Sequence, residues 1–216
     1  MKKKIVLIGD SIRMGYCKYV KDALADVADV YYPSENCKFA QYVLRFIHEW
    51  KQNGDFPTDA DIVHWNAGLW DVLQLFGDEP MTTEEYYANV IPRIHDRIRM
   101  LFPTAKIVFA TSTPVDDEAY KGKNFSRNNA TIEKYNAIAK AKLADKDCEI
   151  HDLYSFMLTA DPDCHSDAVH FNNEKGTAYI GGRVVTYLAD KLGIDSDKIL
   201  IADYDPERYT DKEIGY

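Results

Sequence analysis

The sequence predicts an α/β fold: a three-layer α/β/α sandwich on a five-stranded parallel sheet in the order 2-1-3-4-5, with residues 1–216 as one domain and 193–216 as a C-terminal tail or strap. Three observations predict it. Short β-branched runs alternate with longer amphipathic stretches, and several of the runs are apolar on both faces. The stretches between them are also long enough for the helical crossovers that parallel strands require.

The elements follow in order. Strands are expected at IVLI from Ile5, DVYY from Asp29, DIVHW from Asp61, KIVFATS from Lys106 and EIHDL from Glu149. Helices are expected within 16–24, 39–50, 83–102, 126–143 and 172–192. In the third, Tyr87, Ile91, Ile94, Ile98 and Leu101 follow the helical period and give one apolar face. Thr82 or Thr83 caps its start, Pro92 predicts a kink within it, and Pro103 stops it. Gly193 ends the last helix.

Composition narrows the possible functions. A chain of 216 residues with 46% hydrophobic and 28% charged residues can bury one substantial core. The formal net charge of −9 offers no broad positive field, which excludes nucleic acid and anionic membranes as expected partners. Lys2, Lys3 and Lys4 mimic the start of a secretion signal, but Gly9 and Asp10 cut the apolar run after four residues, so it is a strand. Cys17, Cys37, Cys148 and Cys164 show no CxxC spacing and fit reduced thiols in a cytoplasmic chain.

An open parallel sheet binds ligands beyond the carboxyl ends of its strands, near the point where strand order reverses. That rule selects Ser11 after the first strand, Asn66 after the third, and the loop SDAVHFN that enters the last helix. In the expected order the first and third strands are neighbours, so Ser11 and Asn66 face one crevice. A serine needs a base to become a nucleophile, and His170 suits that task. Asp167, three residues earlier, is placed to orient the imidazole. The Ser11 N–H and the Asn66 amide are candidate donors to an oxyanion.

Gly9-Asp10-Ser11, the Asn66 block and Asp167-Ala-Val-His170, in this order, resemble the SGNH hydrolases, also called the GDSL esterase/lipase family. A GDS tripeptide alone is a weak signal, whereas the ordered set from 9 to 170 is strong. The resemblance implies a flavodoxin-like sandwich and ester hydrolysis through an acyl-serine, with no metal or organic cofactor. It implies Ser11, Asp167 and His170 as the catalytic set and Ser11, Cys37 and Asn66 as the oxyanion hole. Two departures stand out. The Asn66 block reads HWNAG, without the family's preceding glycine and following aspartate. After the second strand the chain offers PSENCKFA in place of a glycine, so by position the donor is the N–H of Cys37, with Asn36 second.

Plainer readings stand beside these. Asp10 and Ser11 are also suited to cap a helix, and Asn66 to satisfy backbone at a strand end. Cys164, His165 and His170 lack the framework and fourth ligand of a zinc site. Cys37 has no histidine near it in sequence to activate a thiol. Trp65 and Trp70 flank Asn66 and suit sugar rings, or else fill the space between sheet and helix. Asp71 is placed to order the Asn66 loop, and Arg13 is left out of the site. The expected substrate is a small-molecule or carbohydrate ester, with a short acyl or O-acetyl group preferred. Long-chain, thioester and aryl-ester hydrolysis are the alternatives, as is a glycan-binding relative that has lost hydrolysis.

Overall fold

In the computed structural model, which describes residues 1–200 and 204–209, the strands are β1 (Lys3–Ile8), β2 (Ala28–Tyr31), β3 (Ile62–Trp65), β4 (Gln74–Leu75), β5 (Lys106–Ala110), β6 (Phe125–Ser126) and β7 (Glu149–His151). Five of them form a parallel sheet in the order β2-β1-β3-β5-β7, the expected 2-1-3-4-5 arrangement once the main strands alone are counted. β4 and β6 pair with each other, antiparallel, outside it. They are two-residue strands with no period of their own, and the sequence did not announce them.

The helices are α1 (Ser11–Ala23), α2 (Ala40–Asn53), α3 (Glu84–Leu101), α4 (Asn129–Leu143), α5 (Leu153–Met157), α6 (Glu174–Leu192) and α7 (Pro206–Tyr209). α1 packs with α6 on one face of the sheet, while α2, α3 and α4 lie in a row on the other. The central strands are sealed between these layers: Ile5, Val6, Leu7, Ile62, Val63 and Val108 are fully buried. Burial on both faces is the reason those strands are continuously apolar.

α1 starts earlier than its apolar period suggests. Asp10 has an extended backbone and its Oδ1 accepts the Ile12 N–H at 3.0 Å, so it is the cap and Ser11 is the first helical residue. Such a cap contributes about 1 kcal/mol. Thr83, not Thr82, caps α3, and that helix runs unbroken through Pro92, where the Ala88 carbonyl loses its usual donor. α6 ends on Gly193 at φ +62°, a left-handed turn that favours glycine.

The expected tail or strap is described in part. The Leu200 N–H donates to the Ala23 carbonyl, and α7 lies on α1 through the Tyr209 hydroxyl, 2.7 Å from Asp22 Oδ2. Residues 201–203 and 210–216 of that segment lie outside the described residues. Among the described residues no helix is long and apolar enough to cross a membrane.

Candidate active site

β1 delivers the chain to Gly9 at its carboxyl end, and the turn into α1 is tight. A Cβ on Gly9 would stand 2.8 Å from Arg13 Cβ, so the close approach requires glycine. Arg13 is buried. Its Nη1 donates to the Pro33 carbonyl at 2.9 Å, its Nη2 to the Glu35 carbonyl at 2.5 Å, and its Nε to the Gly9 carbonyl at 3.3 Å. This guanidinium joins the turn before Ser11 to the segment after β2, a structural role that the sequence did not reveal. Its only signal was a long cation one turn into a helix whose neighbours are all buried.

Ser11 is 5% exposed at the N-terminus of α1, where the helix dipole favours negative charge. Its Oγ lies 2.8 Å from His170 Nε2, and His170 Nδ1 lies 2.7 Å from Asp167 Oδ2. The other carboxylate oxygen, Oδ1, accepts the N–H groups of Val169 at 2.7 Å and of His170 at 2.8 Å. Burial opposes the charge on Asp167, but the His170 ring and these two N–H donors outweigh it and hold its carboxyl well below the usual range. An ionised carboxylate only accepts, so the His170 proton sits on Nδ1 and leaves Nε2 to receive the serine proton.

The loop carrying His170 is closed by the Ser166 N–H donating to the His170 carbonyl at 2.8 Å. It is docked by the Asp116 N–H donating to the Ala168 carbonyl at 2.9 Å. Behind it, Asn173 caps α6 by accepting the Gly176 N–H. A Cβ on Gly176 would collide with the carbonyl oxygens of Cys164 and Phe171. The helix therefore packs directly on the loop.

The expected oxyanion donors fare unequally. Asn66 follows β3, and its N–H donates to the Ile8 carbonyl at 2.9 Å, which sets the two strand ends side by side. Its side-chain Nδ2 donates to the Ala110 carbonyl at 2.8 Å, with Ser112 Oγ at 3.4 Å. The Cys37 expectation is corrected: its N–H donates to the Gly9 carbonyl at 3.2 Å, so the donor assigned by position is already engaged. Asn36, whose backbone N–H is the second choice, is buried, and its side-chain Oδ1 accepts the Lys38 N–H at 2.9 Å, a bond that leaves its own N–H unengaged among the described residues. The left-handed residue here is Lys38, at φ +49°.

Burial pushes the Cys37 thiol up to about 11, which removes it as a nucleophile at neutral pH. Trp65 is fully buried against Phe109 and belongs to the core, so only Trp70 reaches the site. Among the described residues no group of three or more His, Cys, Asp or Glu side chains is placed to hold a metal ion. Asp71 is fully buried, and both its carboxylate oxygens accept the Ala40 N–H, at 3.2 and 3.0 Å. It thus caps α2 from a distant loop, because Phe39 has no side chain able to do so.

Beside Ser11 and His170 lies a pocket of about 390 Å³. Leu69, Trp70 and Leu73 come from the loop after β3, Leu75 from β4, and Tyr120, Phe125 and Arg127 from the segment after β5. The β4–β6 pairing holds these two segments together as the outer wall. Residues 5–184 match the family model GDSL-like Lipase/Acylhydrolase.

The chain belongs to that family.

Membership makes this GDSL-like protein a hydrolase of ester bonds. No curated protein matches its sequence significantly. Solved structures do. A lipase/acylhydrolase from Enterococcus faecalis is 17% identical with a TM-score of 0.67, covering 94% of this chain and 100% of its own. The esterase EstA from Pseudoalteromonas sp., inhibited by monoethylphosphonate, is 13% identical with a TM-score of 0.65, covering 89% and 100%. An acetyl xylan esterase, AlAXEase, is 15% identical with a TM-score of 0.63, covering 86% and 99%. At such identities the likeness is one of fold.

Proposed function

We propose that this GDSL-like hydrolase is a serine esterase working through an acyl-serine intermediate. The observation that carries the reading is the hydrogen-bonded chain from Ser11 Oγ to His170 Nε2 and from His170 Nδ1 to Asp167. Ser11 Oγ attacks the ester carbonyl carbon as His170 Nε2 takes its proton. The tetrahedral oxyanion is met by the Ser11 N–H and by the second N–H of the Asn66 amide, whose 3.4 Å contact to Ser112 is weak enough to yield. His170 returns the proton to the departing alcohol oxygen. Water then attacks the acyl-serine by the same path, releasing acid and free Ser11. Asp167 stays ionised throughout and balances the imidazolium.

The preferred substrate carries a short acyl or O-acetyl group, with a carbohydrate as one class of alcohol. Trp70 offers a ring face beside the nucleophile, and two structural relatives are carbohydrate esterases by name: the acetyl xylan esterase and a family 3 carbohydrate esterase from Talaromyces cellulolyticus. A second reading, esters of aryl alcohols, is favoured by the apolar wall of Leu69, Leu73, Leu75, Phe125 and Val169.

Hydrolysis of p-nitrophenyl acetate by the purified protein tests the reaction, and a series of longer acyl chains and acetylated xylan tests the class. Ser11→Ala is expected to abolish turnover. Equal turnover by that variant would remove Ser11 from the mechanism. A glycan-binding protein without hydrolysis would leave a fluorophosphonate probe unreacted, whereas an activated Ser11 is expected to be labelled.

A further inference from the structure

The chain is acidic, with a net charge of −9, yet two cations that make no ion pair among the described residues line the pocket beside Ser11. Arg127 donates from Nε to the Leu69 carbonyl at 2.6 Å and from Nη1 to the Tyr120 hydroxyl at 3.3 Å, with its guanidinium 6.0 Å from the Trp70 ring centre. Among the described residues its Nη2 has no hydrogen-bond partner. Lys123 Nζ stands 5.7 Å from the ring centres of both Tyr120 and Phe125 and makes no ion pair among the described residues.

Of the acids nearby, Asp10 is buried, feels the Arg127 charge without pairing with it and accepts the Ile12 N–H, and the others are occupied elsewhere. Asp116 accepts the Glu118 and Ala119 N–H groups, Asp117 accepts from Asn129, and Glu118 pairs with Lys121. Asp167 is the only carboxylate among the pocket-lining residues described, and it is held by His170. Unpaired cations next to an apolar wall keep a local positive potential that an anion can satisfy. The departing oxygen of an ester must face His170 Nε2, and His170, Ala168 and Val169 line this same pocket, so the alcohol part of the substrate occupies it.

Resting on the serine-esterase reading, we propose that the pocket selects esters whose alcohol portion is apolar near the ester and carries an anionic group, carboxylate or phosphate, bound by Arg127 and Lys123. Arg127 also joins two wall segments and is not a clean probe by itself. The Lys123 side chain is exposed and makes no hydrogen bond among the described residues, and the bond from its backbone N–H to the Tyr120 carbonyl survives substitution, so Lys123→Glu is expected to leave the fold intact.

The experiment compares kcat/KM for 4-acetoxybenzoate with its uncharged methyl ester, and for 4-acetoxyphenyl phosphate with phenyl acetate. The two anions separate a carboxylate from a phosphate ligand. At least one anionic ester is expected to be preferred by about tenfold or more at low salt, the worth of a charge-assisted hydrogen bond. That ratio is expected to fall several-fold in Lys123→Glu and toward one in Arg127→Gln. It is also expected to shrink at about 0.5 M salt, where exposed charges are screened. Neither anion preferred in the native protein, or a preference unmoved by both Lys123→Glu and salt, overturns the proposal. Failure of the underlying reading looks different: hydrolysis of the neutral esters would then survive Ser11→Ala.

Discussion

Ser11 owes its chemistry to a neighbour that does something ordinary. Asp10 caps α1, which places Ser11 first in the helix with an N–H that has no helical acceptor and a hydroxyl turned to His170. Capping and nucleophile are therefore compatible readings of two adjacent residues. Replacing Asn66 by Ala is expected to lower kcat on p-nitrophenyl acetate by about 100-fold or more with little change in KM, as for loss of an oxyanion donor. A change confined to KM would assign Asn66 to holding the Ala110 carbonyl alone. Asp167 is expected to stay ionised through the acid limb of kcat/KM, because the His170 ring and two backbone N–H donors hold its carboxyl well below the usual range, so Asp167→Asn is expected to lower kcat/KM at every pH of that limb. The meeting of Ser11, His170 and Asp167 was legible because each lies at a place that strand order makes special. The Cys37 assignment misled because it rested on position after β2, while the hydrogen bond to Gly9 is a tertiary fact.

Two contacts between elements hold the site in shape. Gly176 lets α6 lie directly on the loop of Asp167 and His170, and backbone oxygens cannot move aside as side chains do. Gly176→Ala is expected to lower the melting temperature and to reduce kcat more than KM. Full activity in that variant would show the loop to be held independently of α6. Asp71 reaches from the loop after β3 to the start of α2, and Asp71→Ala is expected to cost about 1–2 kcal/mol in denaturant unfolding. The main strands and helices were legible from their periods. The outer wall made by β4 and β6 was not, since two-residue strands exist only through their pairing.

At the scale of the molecule, buried titratable groups set opposing dependences on pH. On the α6 face of the sheet, His64 Nε2 meets His151 Nδ1 at 3.0 Å across β5, with Tyr187 stacked on His151. Burial pushes His64 down to about 4 and, with His64 alongside, holds His151 lower still. The unfolded chain takes up these protons from about pH 6.5 downward while the folded one does not, so stability falls as pH drops from about 6.5 to 4. Burial raises Asp71 to about 7, which acts in the other direction: its contribution declines as pH rises from about 4 to 7. Melting temperatures between pH 4 and 7 are expected to fall more steeply on acidification in Asp71→Asn and less steeply in the double variant His64→Leu, His151→Leu. Parallel curves for all three proteins would contradict both assignments. None of this was visible in the sequence, because the histidines lie 87 residues apart and meet only across an intervening strand.

The central claim is that the hydroxyl after β1 is made nucleophilic by an imidazole carried on the loop before α6. Peptide mass spectrometry after exposure to an alkyl phosphonate ester reads it most directly. A single phosphonyl adduct on Ser11, lost in His170→Ala, is the result expected. An unmodified Ser11, or an adduct on another residue accompanied by loss of activity, would contradict it.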